Sequence, residues 1–159
     1  MVSELARLAD VRAARARLDE QELESIDRAR HEGATWAQIA TALGLASRQA
    51  AEQRRQRLAA ARWSRRQQLD IPLPPQIGAL RAAVADLRRW IDADRRWDDR
   101  FRRASLARST VDAALDAAPG SLYALALHLA RDLAEAADLL PPPARTAAAK
   151  IDTALSTKR

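Results

Sequence analysis

The segment from Gly33 to Leu58, reading G-A-T-W-A-Q-I-A-T-A-L-G-L-A-S-R-Q-A-A-E-Q-R-R-Q-R-L, constrains this chain more than any other. Gly33 can close one helix, and Thr35 is placed to cap the next. Trp36, Ile39, Ala40 and Leu43 then recur at helical spacing along an inward face. Gly44 supplies a left-handed turn, Leu45 plugs the space beneath it, and Ser47 offers a second cap. The helix that Ser47 opens is rich in arginine and glutamine. Two helices joined this tightly must pack on each other, so Ala40 is expected at their contact, with Ala50, Ala51 and Leu58 turned toward the supporting helix. This is the grammar of a helix-turn-helix.

The rest of the chain reads as helix as well. Gly numbers only 4 and aromatic residues 4%, which argues against strands built on aromatic and β-branched side chains. Val2, Leu5, Leu8, Val11 and Leu18 form the stripe of an N-terminal helix expected to end near Leu18. Asp19 and Glu22 then match a capping box for a second helix carrying Leu23, Ile26 and Ala29 and ending at Gly33. The basic helix that starts at Ser47 meets no breaker before Ile71-Pro72-Leu73-Pro74-Pro75. That cluster is the expected boundary between a domain over residues 1–70, with its motif at 35–58, and a helical domain over 76–159.

Beyond the prolines, Ile77, Leu80, Val84, Leu87 and Ile91 step by three and four, the seam of a coiled coil or bundle. These five are the expected homodimer interface. The seam lapses at Asp94, while the helix is read on to about Ala117, before Pro119-Gly120. Ser121 is placed to cap a helix with Leu122, Leu125, Leu129, Leu133 and Leu140, and Arg145 to Leu155 form a last short one. The fold class is therefore all-α: an N-terminal helix-turn-helix, a long helix, and a C-terminal helical bundle.

Charge gives the motif its chemistry. The chain carries a net +6, yet Ser47 to Gln67 alone holds seven arginines against a single acid, Glu52. The excess of the whole protein equals the charge of one helix, which points to a polyanion partner. Arg48, Gln49, Glu52 and Gln53 lie in the first turns of that helix, where base-reading residues sit. Arginine can bond guanine twice, glutamine adenine, and glutamate can accept from cytosine. Gln56 also faces outward. Arg55, Arg57, Arg62, Arg65 and Arg66 are expected on phosphates, joined by Thr35 and Ser47 at helix N-termini.

Gly33-Ala34-Thr35-Trp36-Ala37-Gln38-Ile39-Ala40 with Gly44-Leu45-Ala46-Ser47-Arg48-Gln49-Ala50-Ala51-Glu52 resembles the helix-turn-helix of small actinobacterial transcriptional regulators. More distantly it is similar to the promoter-reading domain of sigma factors. The resemblance covers residues 19–60 and implies a regulator that binds double-stranded DNA through Ser47 to Gln53. The expectation is a sequence-specific regulator in the cytoplasm, at the nucleoid, working as a homodimer on a near-palindrome. Two other readings stand beside it: a sequence-tolerant nucleoid protein, and an adaptor that docks on RNA polymerase or a sigma factor.

Other chemistries find little support. With no cysteine, thiolate metal sites are excluded, and His31 and His128 have no partner at ligand spacing. Asp92, Asp94, Asp98 and Asp99 interleave with Arg95, Arg96 and Arg100, which reads as ion-paired helix surface. No catalytic pair or phosphate loop is present, so no enzyme activity and no cofactor are expected. Met1 to Leu18 mixes apolar and charged residues, unlike a secretory signal, and no apolar run is long enough for a membrane span. Trp36 is expected as a core anchor. Trp63, Trp90 and Trp97 are read as core or interface residues before a ligand pocket, and His128 as a core or interface histidine.

Overall fold

The computed structural model describes residues 3–157, and among them it holds eight α-helices, one 3-10 turn and no strand. The all-α expectation is met. The chain divides into two compact units, with the division between Ser64 and Arg65.

In the first unit, α1 runs from Glu4 to His31, 28 residues without interruption. The expected break after Leu18 does not occur. Nothing between Ser3 and His31 is a glycine or a proline, and Asp19 and Glu22 pair with Arg54 rather than capping a new helix. α1 instead begins on Ser3, whose hydroxyl accepts from the Ala6 N–H. Its end is at Gly33, which has φ +94°. There the Ala34 N–H reaches the Ala29 carbonyl at 2.9 Å and Gly33 that of Arg30 at 3.1 Å, the paired bonds of a Schellman turn.

α2, Trp36–Ala42, starts on Thr35 in a complete capping box with Gln38. It closes on a second turn of the same kind at Gly44, φ +66°, where Leu45 bonds back to Ala40 at 2.8 Å. α3 then runs from Arg48 to Asp70, with the Ser47 hydroxyl accepting from the Ala50 N–H at 3.1 Å. Leu23, Ile26, Ile39, Ala40, Ala51, Leu58 and Ala59 make the buried core, and Trp36, Leu43, Leu45 and Trp63 pack against its edge. Trp36 is thus a half-buried flank with Arg30 stacked 4.9 Å from its ring centre.

The apolar stripe of α1 outlasts this core. Leu5, Leu8 and Val11 stand eighteen residues, five full helical turns, before Leu23, Ile26 and Ala29, so they share the same face. Leu5, Leu8, Val11 and Leu18 are nonetheless exposed. Val2, placed on that stripe by the sequence, lies outside the described residues.

The second unit takes in the end of α3, then α4 (Pro75–Ala93), the single turn α5 (Trp97–Arg100), α6 (Ala104–Asp116), α7 (Pro119–Glu135) and α8 (Pro142–Ser156). A 3-10 turn at Ala137–Leu139 precedes α8. Three expectations change here. Leu80, Val84, Leu87 and Ile91 are buried inside the unit, because α6, α7 and α8 of the same chain fill the seam of α4; Ile77 is half-buried. The seam is core, not a homodimer interface. The helix expected to continue to Ala117 stops at Asp94, whose carboxylate takes the Arg96 N–H and the Arg100 guanidinium, turning Trp97 fully inward. α7 starts at Pro119, a residue suited to the first helical position, so Ser121 is inside the helix and does not cap it.

Trp97 donates to the Ala104 carbonyl at 2.9 Å, and Phe101 meets its ring edge-on. Trp90 and His128, read as core or interface residues, are exposed and so are not core. Of the four aspartates expected in ion pairs, three are paired among the described residues, mostly to other partners than expected: Asp92 with Arg88 and Arg108, Asp98 with Arg108, and Asp94 with Arg100. Among the described residues, the fully buried cation of this unit is Arg81. Its guanidinium grips Asp70 and donates to the carbonyls of Ala114, Leu115 and Ala117 at 2.9, 3.1 and 2.7 Å. Asp70 is thereby drawn into the second unit, so the division falls within α3, ahead of the proline cluster. No helix among the described residues is long and apolar enough to cross a membrane.

Candidate nucleic-acid interface

α3 owes its position to its inner face. Ala51 and Leu58 are buried against α1 and α2, and residues three or four steps away share their side of the helix. Arg54, Arg55 and Arg62 fall there, at the edge of the core and opposite the acids of α1. Arg54 binds Glu22 through two parallel bonds of 2.8 Å and lies 3.6 Å from Asp19. Arg55 meets Asp27 at 2.6 Å and Arg62 meets Glu20 at 2.5 Å. The hydrogen bond from Arg54 holds the Glu22 carboxyl below its ordinary range, against the opposing effect of partial burial. The same bond raises the already basic Arg54.

These pairs change how the charge of α3 is presented. Of the arginines expected on phosphates, Arg55 and Arg62 are engaged by α1, as is Arg54, which the sequence counted without giving it a role. Arg65 and Arg66 are half-buried, and Arg57 is exposed. The Thr35 hydroxyl accepts from the Gln38 N–H at 3.2 Å and also bonds the Gln38 amide oxygen at 3.1 Å, so it is consumed within its own turn. The Ser47 oxygen is likewise engaged as a cap, with its O–H left to donate.

The outward face is different in kind. Gln49, Gln53 and Gln56 are exposed and step by four and three, and Ala60, Ser64 and Gln67 continue the same stripe. Arg48 and Arg57, both exposed, flank the glutamines, while Glu52 is half-buried at one edge. Of the four residues expected to read bases, Arg48, Gln49 and Gln53 are thus presented together and Glu52 only in part. Gln56 belongs with them. Its spacing from Gln49 and Gln53 was the available signal.

The arrangement offers a row of neutral amides, each able to donate and accept at once, between two cations. Such a surface is suited to edges that carry adjacent donors and acceptors. Compared with protein family models, with curated proteins and with solved structures, the chain gives no match.

Proposed function

We propose that the first unit binds double-stranded DNA by placing the N-terminal half of α3 in the major groove, as the reading element of a sequence-specific transcriptional regulator. The observation that carries this reading is the glutamine stripe, Gln49, Gln53 and Gln56, set between Arg48 and Arg57 on the second helix of a tight two-helix motif. The resemblance of Gly33 to Glu52 to small regulators points the same way.

A glutamine amide can bond the N6 and N7 atoms of adenine together, and one such pair contributes about 1–3 kcal/mol of discrimination. Arg48 stands where it can bond guanine or a phosphate, and Arg57 is placed for a phosphate. The sequence-tolerant alternative has less behind it, since backbone-only binding relies on many available cations and α1 engages Arg54, Arg55 and Arg62. A homodimer on a near-palindrome, with half-sites about 34 Å apart, cannot use the seam of α4. It would be joined through the bare stripe of α1, where Leu5, Leu8, Val11 and Leu18 are exposed. A regulator of this kind works at the nucleoid.

The test is a titration of labelled duplexes over a series of salt concentrations. Arg57→Ala should weaken binding to every duplex alike and reduce the salt slope by about one. Gln53→Ala should weaken only the preferred site. Failure to bind any duplex at low salt would overturn the reading and favour the adaptor that docks on the transcription machinery.

A further inference from the structure

At one end of the second unit, the first turns of α4 and α7 and the last turn of α8 leave a groove of about 670 Å³. We propose that this groove binds an uncharged, largely apolar small organic molecule. Its size falls within the range of about 300–1,000 Å³ typical of ligand sites. That bounded volume suits a small molecule better than a protein segment.

The lining defines the chemistry. Pro74, Ile77 and Leu80 come from α4 and its approach, Pro119 and Leu122 from α7, and Ala154 from α8. In a chain with 30% charged residues, no charged side chain among the described residues lines this space. An ionic ligand would lose hydration there, and the described lining offers it no counter-charge in return. The polar groups present are Gln76, Tyr123 and Thr157. The Thr157 hydroxyl donates to the Thr153 carbonyl at 2.7 Å, leaving its oxygen to accept. The Gln76 amide is exposed and has no hydrogen bond within the described chain, so it can fix one polar group of a ligand.

A second observation separates this groove from a packing flaw that could simply close. Arg81 adjoins the lining residue Leu80, and its guanidinium holds Asp70 on one side and the carbonyls of Ala114, Leu115 and Ala117 on the other. Asp70 shortly precedes Pro74, and Ala117 shortly precedes Pro119. The start of α4 and the approach to α7 are thus pinned by a largely buried network made by near neighbours of the lining residues in sequence. A site held open in this way avoids the cost of ordering when a ligand enters.

The glycines supply the variants. Gly120 lines the groove, and a Cβ built on it meets nothing within 4 Å. Gly78, on α4, is equally open but lies outside the lining. The probe is the neutral dye Nile red, titrated into the full chain and tracked by fluorescence. Wild type should show saturable binding in the micromolar range, and Gly120→Phe should weaken it at least tenfold with unchanged far-UV circular dichroism. Gly78→Phe should stay within about twofold of wild type. Ala154→Leu is the second groove-filling variant and should also weaken binding, should Gly120→Phe not fold. Anilinonaphthalene sulfonate, an anion of similar apolar character, should bind at least tenfold more weakly than Nile red. The proposal is overturned by absence of saturable Nile red binding, or by equal binding in folded Gly120→Phe. It is equally overturned by tight anion binding at this site, or by a groove filled by a second copy, seen as a dimer that Gly120→Phe dissociates.

Discussion

In the first unit Arg54, Arg55 and Arg62 reach across half-exposed surface to acids on α1; in the second, Arg81 is wholly buried with Asp70 and three carbonyl groups. The cores differ in the same direction. The first unit buries Leu23, Ile26, Ile39 and Leu58 beside three alanines. The second buries Trp97 and a long run of Leu, Ile and Val. Exposed ion pairs contribute little and can be exchanged for other partners, whereas a buried pair tolerates no loss of either member. The contrast is between a small unit whose outer helix face stays exposed and a bundle fastened by a buried ion pair.

The largest effect should come from attacking the lock. Arg81→Ala leaves Asp70 buried without its partner and removes a donor from the carbonyls of Ala114, Leu115 and Ala117, of which Ala114 keeps the Ala117 N–H; it should cost the second unit about 3–5 kcal/mol in urea unfolding. Hydrogen exchange should place that loss in α4, α6 and α7 and leave α2 unaffected. Leu58→Ala should cost the first unit about 2–5 kcal/mol. With so small a core, amide protection across α2 and the first half of α3 should largely vanish.

Glu22→Gln sharpens the comparison at a lower level, since a half-exposed pair should contribute only about 0.2–1 kcal/mol. Because Arg54 lowers the folded-state pKa of Glu22, the wild-type advantage is full above the ordinary value of 4.5 and fades as pH falls through the lowered one. Melting temperatures of wild type and Glu22→Gln should therefore converge toward strongly acid pH. Leu8→Ala, on the bare stripe of α1, should change stability by less than about 0.5 kcal/mol in a monomer. If a second copy covers this stripe, light scattering will show a dimer that Leu8→Ala weakens.

The turns were the most legible part of the chain. Gly33, Thr35, Gly44 and Ser47 act through hydrogen bonds within five residues, so their roles can be read locally. The outward glutamines could be read from the same helix. The illegible features depend on partners distant in sequence. Asp19 and Glu22 suit a cap or an ion pair equally well, and only the placement of Arg54 decides. A seam such as Leu80, Val84, Leu87 and Ile91 looks the same whether its cover comes from α6, α7 and α8 or from another chain. Arg81 lies between seam residues, and nothing in its neighbours signals burial. The assignment of Arg55 and Arg62 to phosphates rested on charge alone, which ignores the acids that α1 sets opposite them.

The most direct test of the proposed reading of DNA by α3 is selection of duplexes from a random pool by wild type and by Gln53→Ala, with sequencing of the bound fraction. Wild type should enrich a defined site containing adenine, and Gln53→Ala should lose preference at one position of it while retaining the rest. An unchanged site in Gln53→Ala, or no enrichment by the folded wild-type protein, would contradict that reading.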